Sequence, residues 1–122
     1  LAFILGHEAG HHIAGHLDRQ RESAMRGAIL AGALAREGGA DAAAIRRAER
    51  IGADVGARAF SREFELEADA LGTVIAFRAG YDPLRGADYF IRQDDPGNVF
   101  LGTHPPNAAR IDTVRRTVRA LR

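Results

Sequence analysis

The chain has no cysteine. That excludes disulfides, thiolate metal sites and cysteine nucleophiles together, while leaving the cellular compartment open. It has no lysine either, because all 17 basic residues are arginine. With alanine abundant as well, this reads as the mark of a GC-rich genome rather than of a binding device. Neither sign of charge is in excess: the formal net charge is +1, which gives no strong pull toward nucleic acid or anionic lipid. No apolar run approaches the ~20 residues needed to span a bilayer. The longest, Ala24 to Ala35, carries Arg26. Alternating strand patterns, internal repeats and low-complexity tails are also missing. No signal peptide is visible, and the chain opens on Leu1 rather than Met. A start in mid-protein, after a removed leader or upstream region, is the expectation.

What is present fits one domain with one core. The chain has 122 residues, 46% hydrophobic and 27% charged, an ordinary globular balance. The patterning predicts a mainly α fold. Leu1 to Arg19 reads as a first helix, with Phe3, Ile4, Ile13 and Leu17 apolar and Gly6, Gly10 and Ala14 in a small-residue row. Residues 22 to 36 follow, ended by Gly38-Gly39. Asp41 reads as the cap of a third, arginine-rich helix that Gly52 and Gly56 would bend. Ser61 to Ala79 carries an S-x-x-E-like start and an apolar stripe of Phe64, Ala68, Leu71 and Ile75. Gly80 ends it, and Pro83 opens a shorter helix to about Arg92. Val99-Phe100-Leu101 reads as extended, and Pro105-Pro106 as the start of a last helix to Leu121.

The chemistry begins at His7-Glu8-Ala9-Gly10-His11, an H-E-x-x-H pattern. On a helix, residues four apart lie about 40° apart around the axis, so both imidazoles can reach one ion. Glu8 lies about 100° round from His7, beside the metal, where it can take a proton from water. Zinc suits paired imidazoles. A catalytic zinc site needs a third protein ligand and an open position. The spacing H-E-x-x-H-x-x-G-x-x-H does not supply one here, since its last two positions hold Ala14 and Leu17. Glu63, Glu65 and Glu67 are the candidates on the fourth helix, and residues two apart point about 160° away from each other. Of these, Glu65 has Asp69 one turn further on, where a carboxylate can accept the outer N–H of a ligating histidine. Glu63 and Glu67 are assigned to the solvent face. His12 and His16 point away from the metal face of a regular helix and read as structural or surface residues.

At these residues the chain resembles the zinc metallopeptidase family that includes the HtpX-like heat-shock proteases and the CAAX prenyl endopeptidases, closest to its periplasmic soluble-domain members. Three motifs carry the resemblance, in the family's order: Leu5-Gly6-His7-Glu8-Ala9-Gly10-His11; Ser61-Arg62, Glu65, Asp69, Leu71-Gly72 and Ala79-Gly80-Tyr81-Asp82-Pro83; and Thr103-His104-Pro105-Pro106 with Arg110-Ile111. The resemblance implies a zincin-like core, with the H-E-x-x-H helix packed against the helix of the glutamate ligand and little or no β-sheet. It implies one zinc ion per chain held by His7, His11 and Glu65, with Glu8 as catalytic base and Asp69 behind His7. It implies His104 near the metal, as oxyanion donor or fourth ligand, and Arg110 as a brace of the site. Family members carry an edge strand before the first motif that holds substrate by β-augmentation, and this chain begins after it.

The expectation is therefore a single zinc metallopeptidase domain over residues 1–122, lacking upstream sequence. It would cleave peptides or misfolded proteins in quality control of the cell envelope, periplasmic or membrane-associated, with envelope-assembly partners and no nucleic acid. The alternative is a zinc-binding module, chaperone-like or regulatory, with little peptidase activity. Residues 24 to 36 read as a packing helix in preference to a lid.

Overall fold

Aspartates start two of the helices. Asp41 accepts a hydrogen bond from the Ala44 amide at 2.7 Å, and Asp82 one from the Leu84 amide at 2.9 Å, each meeting an amide that has no partner within its helix. The computed structural model describes residues 1–122 and contains six helices: α1 (Ala2–Ile13), α2 (His16–Glu37), α3 (Ala42–Arg58), α4 (Ser61–Arg78), α5 (Pro83–Ile91) and α6 (Asn107–Leu121). There is no strand, in agreement with the mainly α class read from the sequence. No helix is long and apolar enough to cross a membrane. The chain divides into two compact units, one of Leu1–His16 with Arg62–Arg122, the other of Leu17–Ser61.

The first unit holds the core. Phe3 of α1, Ala87 and Phe90 of α5, and Val114 and Val118 of α6 are all buried, with Ile4, Leu84 and Ile111 against them. The Phe3 and Phe90 rings meet edge to face at 5.7 Å, the favoured aromatic geometry. α1 and α4 meet backbone to backbone. A Cβ added at Gly72 would lie 2.6 Å from the His7 amide nitrogen and 2.9 Å from the Gly6 carbonyl carbon, and one at Gly10 would lie 3.0 Å from the Ala68 oxygen. At Gly72 only glycine permits this approach, and it brings the side chains beside it, His7 and Asp69, within reach of each other.

Several local expectations are corrected. α1 stops at Ile13 rather than Arg19, because Gly15 adopts a φ of 64°, a left-handed conformation that ends helices. Ile13 and Leu17 are consequently exposed. On α4 the most deeply buried residues are Ala68, Asp69 and Thr73, with Leu71 and Ile75 only half-buried. The close approach to α1 selects small side chains there. Ser61 does not cap α4; it is the first helical residue, and its hydroxyl donates to the Ala57 carbonyl at 3.2 Å. Residues 99–101 form a turn with Leu101 at φ 55°.

The second unit is a hairpin of α2 and α3. Gly52 and Gly56 do not break α3, which is continuous. They let it lie against the α2 backbone at Gly27 and Ser23. Asp54 and Arg58 pair one turn apart at 3.0 Å on its solvated side.

Candidate metal centre

α1 carries His7 and His11 one turn apart, and α4 brings Glu65 to them across the glycine contact. One donor atom from each of the three lies within 4.8 Å of the others. The two Nε2 atoms are 3.1 Å apart. Glu65 Oε2 is 3.6 Å from His7 Nε2, and Oε1 is 3.4 Å from His11 Nε2. Ligand atoms bonded at about 2.05 Å to one tetrahedral centre lie roughly 3.3 Å apart. The spacings, with each imidazole nearest a different Glu65 oxygen, run from 3.1 to 3.6 Å around that value, so the residues can fit a tetrahedral ion such as zinc. Two neutral imidazoles and one carboxylate are a donor set that zinc accepts.

The surroundings prepare the donors. Asp69 is fully buried. Its Oδ1 accepts from His7 Nδ1 at 2.9 Å, which leaves the Nε2 lone pair of His7 facing the other two donors. A buried carboxylate needs a counter-charge, and Arg110 of α6 supplies it through a two-pronged contact, Nε to Oδ2 at 2.7 Å and a terminal nitrogen to Oδ1 at 2.8 Å. The same guanidinium nitrogen is 3.3 Å from Glu65 Oε2. Its central carbon lies 3.9 Å from the centre of the Phe90 ring, a cation–π contact that ties the brace to the core. The Thr73 hydroxyl donates to the Asp69 carbonyl at 2.6 Å. Burial pushes the His11 imidazole below its ordinary pKa, with the charges of His7 and His16 acting in the same sense and those of Glu65 and Glu8 opposing. A neutral imidazole near pH 7 is the form that binds metal.

Glu8 is exposed on α1 one residue past the buried His7. His104 lies in the loop before α6, largely exposed, with Nδ1 3.7 Å from Glu65 Oε2. Pro105, fully buried, anchors that loop. His12 and Glu63 face solvent.

Glu67 is exposed, as the sequence reading has it, but His16 does not point away from the metal face. His16 is buried, at 4% exposure; its Nδ1 lies 2.8 Å from His11 Nδ1 and its Nε2 lies 3.1 Å from Glu67 Oε2. The reading assumed a regular helix through residue 16. The signal against it is Gly15, a helix-stopping residue that turns the chain and returns His16 to His11.

A family model of peptidase family M48 matches residues 1–118. Comparison with curated proteins and with solved structures returns no match. A match over nearly the whole length, on a helical frame that gathers two histidines and a glutamate, leads to one conclusion: the chain belongs to peptidase family M48.

Proposed function

We propose that the protein is a zinc-dependent endopeptidase in which His7, His11 and Glu65 hold the metal and Glu8 moves the proton. Membership of peptidase family M48 supports metallopeptidase chemistry. The observation that carries the finer reading is the convergence of His7, His11 and Glu65, one donor atom from each lying within 4.8 Å of the others. A bound zinc ion supplies Lewis acidity, lowering the pKa of water to about 7 and polarising a carbonyl. Glu8 takes the proton from the attacking water and delivers it to the leaving amine. Asp69 and Arg110 hold His7 in the tautomer that presents Nε2. His104 donates to the oxygen on which negative charge develops. The resemblance to HtpX-like proteases supports unfolded or misfolded polypeptide as the substrate, quality control in the cell envelope as the setting, and a membrane or envelope-assembly component as the partner.

The test is proteolysis of casein with and without chelator, alongside elemental analysis for zinc. Glu8→Gln keeps stoichiometric zinc and loses activity by about 10²–10⁴-fold, the range of general acid–base catalysis. His11→Ala loses the metal itself. Full activity in Glu8→Gln sinks the mechanism, and undiminished zinc in His11→Ala sinks the ligand assignment. Stoichiometric zinc without chelator-sensitive proteolysis in the unaltered protein would favour the zinc-binding module instead.

A further inference from the structure

We infer that His16 and Glu67 are positioning residues for the metal ligand His11, forming an outer relay that fixes its tautomer. The inference rests on His11 being a ligand.

The argument follows the hydrogen atoms. If His11 Nε2 gives its lone pair to a metal, the ring hydrogen is on Nδ1. That atom lies 2.8 Å from His16 Nδ1, so His16 must accept there and carry its own hydrogen on Nε2. His16 Nε2 in turn faces Glu67 Oε2 at 3.1 Å, and a carboxylate oxygen accepts. Each ring N–H then has an acceptor, and the only ring-nitrogen lone pair left over is the one on His11 Nε2. With His16 in the other tautomer, its Nδ1–H would meet the Nδ1–H of His11 and its Nε2 lone pair would meet the carboxylate, both repulsive. Glu67 thus selects the tautomer of His16, and His16 selects that of His11.

Packing holds the relay in place. The His16 ring lies parallel to that of Phe64, with centres 4.6 Å apart and planes at 15°. It meets the His11 ring edge to face at 4.9 Å. Gly15 at φ 64° delivers it there. The two metal histidines are therefore supported differently. His7 donates directly to the buried Asp69, whereas His11 donates through a second imidazole to a half-exposed glutamate.

The test is zinc affinity, by chelator competition on the full chain, together with nitrogen-15 NMR of the zinc-loaded protein. His16→Leu weakens zinc binding by about 10–100-fold, as loss of a partner behind a ligand does. His16→Asn, whose amide oxygen takes the place of Nδ1, recovers most of it. Glu67→Ala, at a half-exposed position that does not threaten folding, weakens binding in the same direction by about 10-fold. The NMR spectrum shows the His16 hydrogen on Nε2. Wild-type affinity in both His16→Leu and Glu67→Ala overturns the relay, as does a His16 hydrogen found on Nδ1. Absence of zinc binding in the unaltered protein overturns the metal-site reading instead, so the two failures are distinguishable.

Discussion

Among single residues, Arg110 joins several interactions: it holds Asp69 with two nitrogens, approaches Glu65 and covers Phe90. Removing one partner of a buried pair leaves a charge without compensation, at a cost of about 3–5 kcal/mol. Arg110→Leu is expected to lose stability in that range, read by urea unfolding of the metal-free protein. A loss under about 1 kcal/mol, the range of a surface pair, would show that Asp69 needs no counter-charge. His104 is the opposite case, largely exposed and only near the donor set. His104→Ala is expected to lower kcat by about 10²–10³-fold, as removal of an oxyanion donor does, with zinc content unchanged. Loss of zinc in this variant would make His104 a ligand instead.

At the scale of elements, the site depends on how closely α1 and α4 approach. The Gly72 position faces the His7 amide and Gly6 backbone, neither of which can rotate away. Gly72→Ala is expected to push the helices apart, costing about 1–3 kcal/mol as overpacking does, and to weaken zinc binding by displacing Glu65 from the histidines. Thermal unfolding and chelator competition measure the two effects. A variant with normal zinc affinity would show that the donor set tolerates a wider helix spacing. The sequence exposed much of this element layer. The cap at Asp41, the stop at Gly80 and the first residue of α5 all follow from local chemistry of single side chains. The α1 boundary was missed because apolar spacing continued past a glycine whose conformation overrode it.

For the molecule as a whole, the two units differ in burial. α3 has no buried residue, whereas α1, α5 and α6 all contribute to the core of the first unit. Local opening follows buried contacts, so amides of α2 and α3 are expected to exchange with deuterium faster than those of α1 and α6. Added zinc is expected to slow exchange in α1 and α4 and leave α3 unchanged, since the three donor residues lie in the first unit. Mass-spectrometric hydrogen exchange reads both effects. Equal protection across the chain would show that the hairpin opens only with the rest.

The sequence by itself determined the helical class and the H-E-x-x-H face, because each depends on angles within one helix, and it singled out Glu65 among three nearby glutamates as the candidate that the structure places beside His7 and His11. It also placed Asp69 one turn from Glu65. What only the tertiary structure decided were the relations between helices. The glycine contact between α1 and α4 brings Asp69 to His7. The packing of α6 carries Arg110 onto Asp69, and the reversal at Gly15 turns His16, read as pointing away from the metal face, into a neighbour of His11. Side-chain periodicity is a property of one helix, whereas a hydrogen bond across 51 residues of chain, such as that from His16 to Glu67, exists only once the backbone between them has folded back.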